Sequence, residues 1–223
     1  MNTDQPPTPR LSVIVATHDN FPVLKRCLDE ANMCFAYARK HHPAMKYVAS
    51  ARTSLAIPSI FNLLGPLTNP ARAKHQLLGV FAPELTDRLA TVLRELGSAR
   101  AWVVHAEDGL DEISTLGPTR ISELRDGHVK TWQLDPRTLG LPYARLSDLQ
   151  VETADQGAEA LRLILAGEKG PRRDIALLNA AAALVIAGFS ADLPHAMNIA
   201  ADAVDDGLAQ KTLEKLVRYS NES

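Results

Sequence analysis

Residues 59–70, Ser-Ile-Phe-Asn-Leu-Leu-Gly-Pro-Leu-Thr-Asn-Pro, set an apolar run of strand length directly against Gly65, Pro66, Asn69 and Pro70. So abrupt a change reads as a buried strand that hands over to a rigid polar loop at its carboxyl end. Open α/β sheets bind ligands outside the carboxyl ends of their strands, so such a loop is a natural wall for a site. The same residues also read as a tight turn built on two prolines. Asn62 and Asn69 suit either reading, because asparagine side chains hydrogen-bond backbone in tight turns.

The chain on either side alternates strand and helix signals. After a polar, proline-rich start at residues 1–10, residues 11–17 form a β-branched strand stopped by His18, Asp19 and Asn20. Val23, Leu24, Cys27 and Leu28 then share one helical face, and residues 34–38 give a second short strand. The segment after Lys46 is helical as far as Leu55, and Pro58 breaks it before the central run. Residues 75–80 read as a strand. Leu85, Leu89, Val92, Leu93 and Leu96 mark an amphipathic helix behind Pro83, closed by Gly97. Residues 101–106 follow as a buried strand, and strand–helix–strand in this order implies a parallel crossover. Asp126-Gly127 between residues 120–125 and 128–134 is a hairpin turn. Residues 135–149 read as an extended loop, and residues 158–166, 175–187, 195–206 and 208–219 as alanine-rich helices. The expected class is α/β, a mostly parallel sheet flanked by helices, with residues 1–10 a flexible tail and residues 11–223 one domain.

Composition excludes several functions. A net charge of -2 gives no electrostatic case for nucleic acid, and no apolar run reaches membrane-spanning length. Cys27 and Cys34 are the only cysteines, too few for a disulfide framework or a thiolate metal site, so a cytoplasmic setting is expected.

Glu107, Asp108, Asp111 and Glu112 crowd around Gly109 just beyond the strand at residues 101–106. One or two carboxylates together with substrate phosphates are the usual magnesium ligands, and the adjacent Asp111–Glu112 pair suits that role. A solvated acidic loop is the plain alternative.

His41-His42-Pro43-Ala44-Met45-Lys46, then Arg52, then residues 60–70 and the run Gly109-Leu110-Asp111-Glu112-Ile113-Ser114 together resemble the anthranilate phosphoribosyltransferase family. The resemblance runs from about Val23 to the end. It implies a catalytic domain of the phosphoribosyltransferase/nucleoside-phosphorylase type that transfers phosphoribosyl from phosphoribosyl diphosphate to anthranilate in tryptophan biosynthesis. It also implies that Arg52, His42 and Pro66 line the anthranilate pocket. Asp111 and Glu112 would hold Mg2+ carried by phosphoribosyl diphosphate, Asp108 would be a loop residue, and Asn179 a buried helix residue. No catalytic nucleophile is implied. Residues 11–20 are separately similar to the first strand of family-2 glycosyltransferases, which leaves a nucleotide-sugar transferase as a remote alternative.

The family's glycine-rich and Lys/Asn/Ser-rich phosphate loops have no counterpart here: no two of the 12 glycines are adjacent or separated by one residue. The expected catalytic domain is therefore incomplete at its amino end. Either the chain is an inactive fragment, or a missing amino-terminal half completes it; a homodimer is the other expected partner state.

Overall fold

The structure, a computed structural model, describes residues 13–17, 21–36, 67 and 73–221. The chain divides into two compact units, Met1–Phe61 with Ala209–Ser223, and Asn62–Leu208. In the first, strand β1 (Val13–Thr17), helix α1 (Phe21–Ala31) and strand β2 (Met33–Ala36) follow one another, and β1 pairs with β2 in parallel. The reversal between α1 and β2 is made by Asn32 in the left-handed region, a conformation asparagine tolerates. Leu24, Cys27 and Cys34 form the buried centre of this unit. Leu216 and Tyr219 of helix α7 (Leu208–Asn221) pack against them. Both cysteines are free thiols, and burial pushes each thiol up from its ordinary value, which makes them inert packing groups.

The second unit is built on a four-stranded sheet in the order β3 (His75–Gly79), β4 (Arg100–Ala106), β5 (Thr119–Arg125), β6 (His128–Leu134). Helix α2 (Leu85–Glu95) connects β3 to β4, which pair in parallel, and the remaining two ladders are antiparallel. The α/β class with flanking helices is as expected from sequence, and this sheet is mixed. The hairpin turn has φ 50° at Asp126 and 76° at Gly127, the double positive φ that a two-residue hairpin of this twist demands.

Strand β4 is buried on both faces, and its alternation separates two cores. Ala101 and Val103 face α2, joining Leu78, Leu89, Leu93 and Leu124. The half-buried Leu67, the described residue of the 59–70 stretch, packs against this same core. Trp102 and Val104 face the other way, toward Leu178, Ala181, Ala182 and Val185 of helix α5 (Pro171–Ala187). There the Trp102 and Trp132 rings meet edge-on, 5.3 Å between centroids and 89° between planes, a favourable quadrupole arrangement. Helix α6 (Leu193–Asp205) adds Leu193 and Ala196 to that core, and alanines on both helices permit the close approach.

Four sequence expectations need correction. Helix α2 is rotated so that Thr86, Leu89, Ala90 and Leu93 are buried, while Val92 and Leu96 are exposed. The buried Thr86 hydroxyl is satisfied twice, donating to the Pro83 carbonyl at 2.9 Å and accepting from Arg120 Nε at 3.0 Å. Residues 135–149 are not simply extended: a 3-10 turn (Pro136–Leu139) and the one-turn helix α3 (Leu146–Leu149) lie within them. Asp135 caps the first, and hydrogen bonds from Arg137 hold its carboxyl down to about 2. Helix α4 (Ala154–Leu165) begins ahead of residue 158, because Thr153 and Gln156 form a reciprocal capping box. Helix α5 begins ahead of residue 175, at Pro171, a residue suited to the first helical position.

The amino end of α5 is tied to the carboxyl end of α6 by a buried charge. Arg173 is 2% exposed; its Nη2 donates to Asp205 Oδ2 at 2.8 Å and its Nη1 lies 2.8 Å from Oδ1, so the desolvated guanidinium faces a carboxylate. Among the described residues no helix is long and apolar enough to cross a membrane.

Leu178, wholly buried between α5 and the sheet, should cost about 3 kcal/mol when cut to alanine. The same change at Leu161, 44% exposed on α4, should stay within about 0.5 kcal/mol. Urea unfolding of both variants measures the contrast.

Candidate active site

The acidic loop leaves the carboxyl end of β4 and is fixed at several points. Ala106 donates its N–H to the Leu110 carbonyl at 3.0 Å, and Gly109 donates to Ala106 at 3.0 Å, closing a tight turn with φ 95° at Gly109. Asp108 accepts the Leu110 N–H at 2.9 Å, an Asx turn, so its carboxylate is occupied locally as the loop reading expects. Glu107 accepts a short hydrogen bond from Gln133 of β6, which ties the loop's first residue to the hairpin.

Asp111 and Glu112 lie beyond this turn, both exposed. Their backbone is nevertheless tightly seated. A Cβ placed on Gly79 would fall 1.5 Å from the Asp111 carbonyl oxygen, so the loop crosses the end of β3 where no other residue fits. Immediately after the pair, Ile113 is fully buried in the α5-side core. Its N–H donates to Asn179 Oδ1 at 3.0 Å, and its carbonyl accepts from Asn179 Nδ2 at 2.8 Å. Asn179 is half-buried, not a plain buried helix residue, and its amide spans helix and loop. Ser114 then donates its N–H to Thr119 Oγ1 at 3.0 Å, with both residues buried.

The electrostatics follow from this seating. Partial burial raises the Glu112 carboxyl above its ordinary value, and the neighbouring charges of Asp111 and Asp108 raise it further. Like charges held together in this way favour a bound cation. Among the described residues no cluster of three or more metal-ligating side chains exists, so the pair is not part of a closed protein cage there. Two exposed adjacent carboxylates fit an ion that arrives with oxygens of its own.

Next to the loop, His105 on β4 bonds through Nδ1 to the Val80 carbonyl at 2.8 Å. Sequence reasoning did not single out His105 or Gly79. The Gly that ends a short apolar strand was the available signal for the second. His42, Arg52 and Pro66 lie outside the described residues, as does the segment from His41 to Lys46. The described cavities lie elsewhere, a 360 Å³ one including Ser147, Ile164 and Arg172 in its lining and a neighbouring one beside Val151 and Gln156.

Gly79→Ala should destabilise the protein by about 1–3 kcal/mol, since strand or loop must move to admit the methyl group. Urea unfolding reads the loss, and an unchanged midpoint would contradict the close approach. Glu112 has a raised folded value, so its charged form is disfavoured in the folded protein. The cost is absent below the unfolded carboxyl value and grows as pH rises through it toward the folded value. Glu112→Gln should therefore gain stability relative to the parent between about pH 4 and neutrality, measured as the midpoint difference across pH.

The family described as "Glycosyl transferase family, a/b domain" matches residues 13–210, and so takes in β1 ahead of Val23. Anthranilate phosphoribosyltransferase from Methylobacterium nodulans is 49% identical over 198 residues, covering 89% of this chain and 59% of that protein. The enzyme of the same name from Rhodospirillum rubrum is 49% identical over 195 residues, 87% of this chain and 56% of its own length. Among solved structures, anthranilate phosphoribosyltransferase from Thermus thermophilus superposes with a TM-score of 0.81 at 36% identity, covering 90% of this chain and 59% of that one. The Saccharomyces cerevisiae enzyme in complex with PRPP and Mg has a TM-score of 0.75 at 28% identity, covering 84% and 54%. The chain thus spans little more than half the length of these relatives. A match over nearly all of its described strands and helices identifies it as a member of the glycosyl transferase family, within the a/b domain.

Proposed function

We propose that this chain supplies the anthranilate-binding and metal-binding part of an anthranilate phosphoribosyltransferase. The observation that carries the reading is the Asp111–Glu112 pair, held rigidly at the end of β4 within a chain 49% identical to enzymes of that name. In the reaction, the amino nitrogen of anthranilate bonds to C1 of the ribose with inversion. The C1–O bond to diphosphate breaks, diphosphate leaves with the bonding electron pair, and the nitrogen loses a proton. Positioning accounts for most of the catalysis, and no protein nucleophile is needed. Arg52 would pair its planar guanidinium with the anthranilate carboxylate, while His42 and Pro66 would line the ring pocket. Asp111 and Glu112 would hold Mg2+ jointly with phosphate oxygens. When bound, the ion neutralises charge on the departing diphosphate.

A diphosphate cradle of backbone N–H groups is the part this sequence does not offer. These 223 residues alone would then turn over little or no substrate, with a separate amino-terminal half completing the site and a homodimer as the other assembly proposed. A cytoplasmic setting belongs to the same reading, supported by the two free buried thiols.

Purified chain assayed for phosphoribosyl-anthranilate with magnesium should be essentially inactive. Turnover should appear on mixing with the amino-terminal half of a complete relative, and Asp111→Asn should lower it by about a hundredfold. Robust turnover by the chain alone would remove the need for a partner. A mixture that stays active and indifferent to Asp111→Asn would remove the metal role.

A further inference from the structure

We propose that Asn179 is a positioning residue for the Asp111–Glu112 pair, acting through the Ile113 backbone; the inference rests on the metal role proposed for that pair. One side chain, 66 residues further along, grips both main-chain groups of the residue that follows Glu112. Its Nδ2 also donates to the Ile175 carbonyl one helical turn back at 3.0 Å, which fixes the amide plane against α5. All the donors and one acceptor lone pair of the amide are thereby used. Asparagine is a poor helix former, and its place inside a long helix needs a gain outside the helix.

The geometry says what that gain is. On one side of the pair the Asp111 carbonyl is wedged against Gly79, and on the other Ile113 is held by Asn179. Two like-charged side chains would separate if the backbone between them could rotate. These two restraints, one on β3 and one on α5, set that backbone without touching either carboxylate. Both carboxylates are left exposed and free to ligate. Groups that orient metal ligands from behind in this way typically change metal affinity by about 10- to 100-fold when removed.

The test uses the full chain, with Asn179→Ala and, as a second variant, Asn179→Asp, which keeps an acceptor for the Ile113 N–H but loses the donors. Amide hydrogen exchange reads the restraint directly. In both variants, exchange at residues 111–114 should rise by about tenfold while Val103 and Leu178 stay protected. Magnesium-dependent binding of inorganic diphosphate, measured with the amino-terminal half of a complete relative added, should weaken by about tenfold. On a Glu112→Gln background the further loss from Asn179→Ala should shrink markedly, because both changes act on the same ligand set. Unchanged exchange at 111–114, or a loss of full size on the Glu112→Gln background, would overturn the positioning role. If exchange responds but the parent mixed with that half shows no magnesium-dependent binding, the metal reading itself has failed and the proposal falls with it.

Discussion

Burial of β4 on both faces is the constraint on which the rest of the second unit depends. A run with core on each side must be apolar, and Ala101, Trp102, Val103 and Val104 are each 4% exposed or less. The pleat then assigns Ala101 and Val103 to α2, and Trp102 and Val104 to α5, so one strand fixes the placement of both helical layers. Polar chemistry cannot reside within that buried run, and the strand's polar residues, Arg100 and His105, flank it. Such chemistry begins where the strand stops, and the chain turns polar within a residue of Ala106.

The loop beyond β4 carries this rigidity outward. Its backbone passes over Gly79 at the end of β3 and is caught again by Asn179 from α5, so elements from both sides of β4 meet at the acidic pair. Long loops ordinarily gain freedom with distance from the sheet. Here Ile113, Ser114 and Thr115 return to the core within three residues of Glu112, each at most 1% exposed. The carboxylates are therefore exposed side chains on a buried backbone, and the loop's own entropy contributes little to the freedom of the site.

Much of this was legible in the sequence wherever the signal was local. The apolar run of β4 and the Asp126-Gly127 turn follow from residues next to one another, and both stand where expected. The helical face of α2 was misjudged because period alone treats Thr86 as polar, whereas its hydroxyl is satisfied in place by Pro83 and Arg120. The early starts of α4 and α5 lay in capping chemistry, Thr153 with Gln156 and Pro171, which apolar periodicity does not register. The two restraints on Asp111 and Glu112 could not be read at all. Gly79 and Asp111 are far apart in the chain, as are Ile113 and Asn179, and no spacing rule links them.

The charge on the acidic pair completes the physical picture. Partial burial raises the Glu112 carboxyl above its ordinary value at an energetic cost, to which the neighbouring charges of Asp111 and Asp108 add a smaller repulsive share. Side chains selected only for solubility would be free to spread and escape that cost. Here Gly79 and Asn179 seat the backbone that carries the pair, serving the main chain rather than the carboxylates. A structure that keeps like charges together gains when a cation arrives, because the cation relieves a repulsion already built in. With no third ligating side chain grouped beside them among the described residues, the pair would leave most of a magnesium shell open. On the metal role proposed for the pair, a diphosphate would enter the ion's coordination where protein has not already filled it.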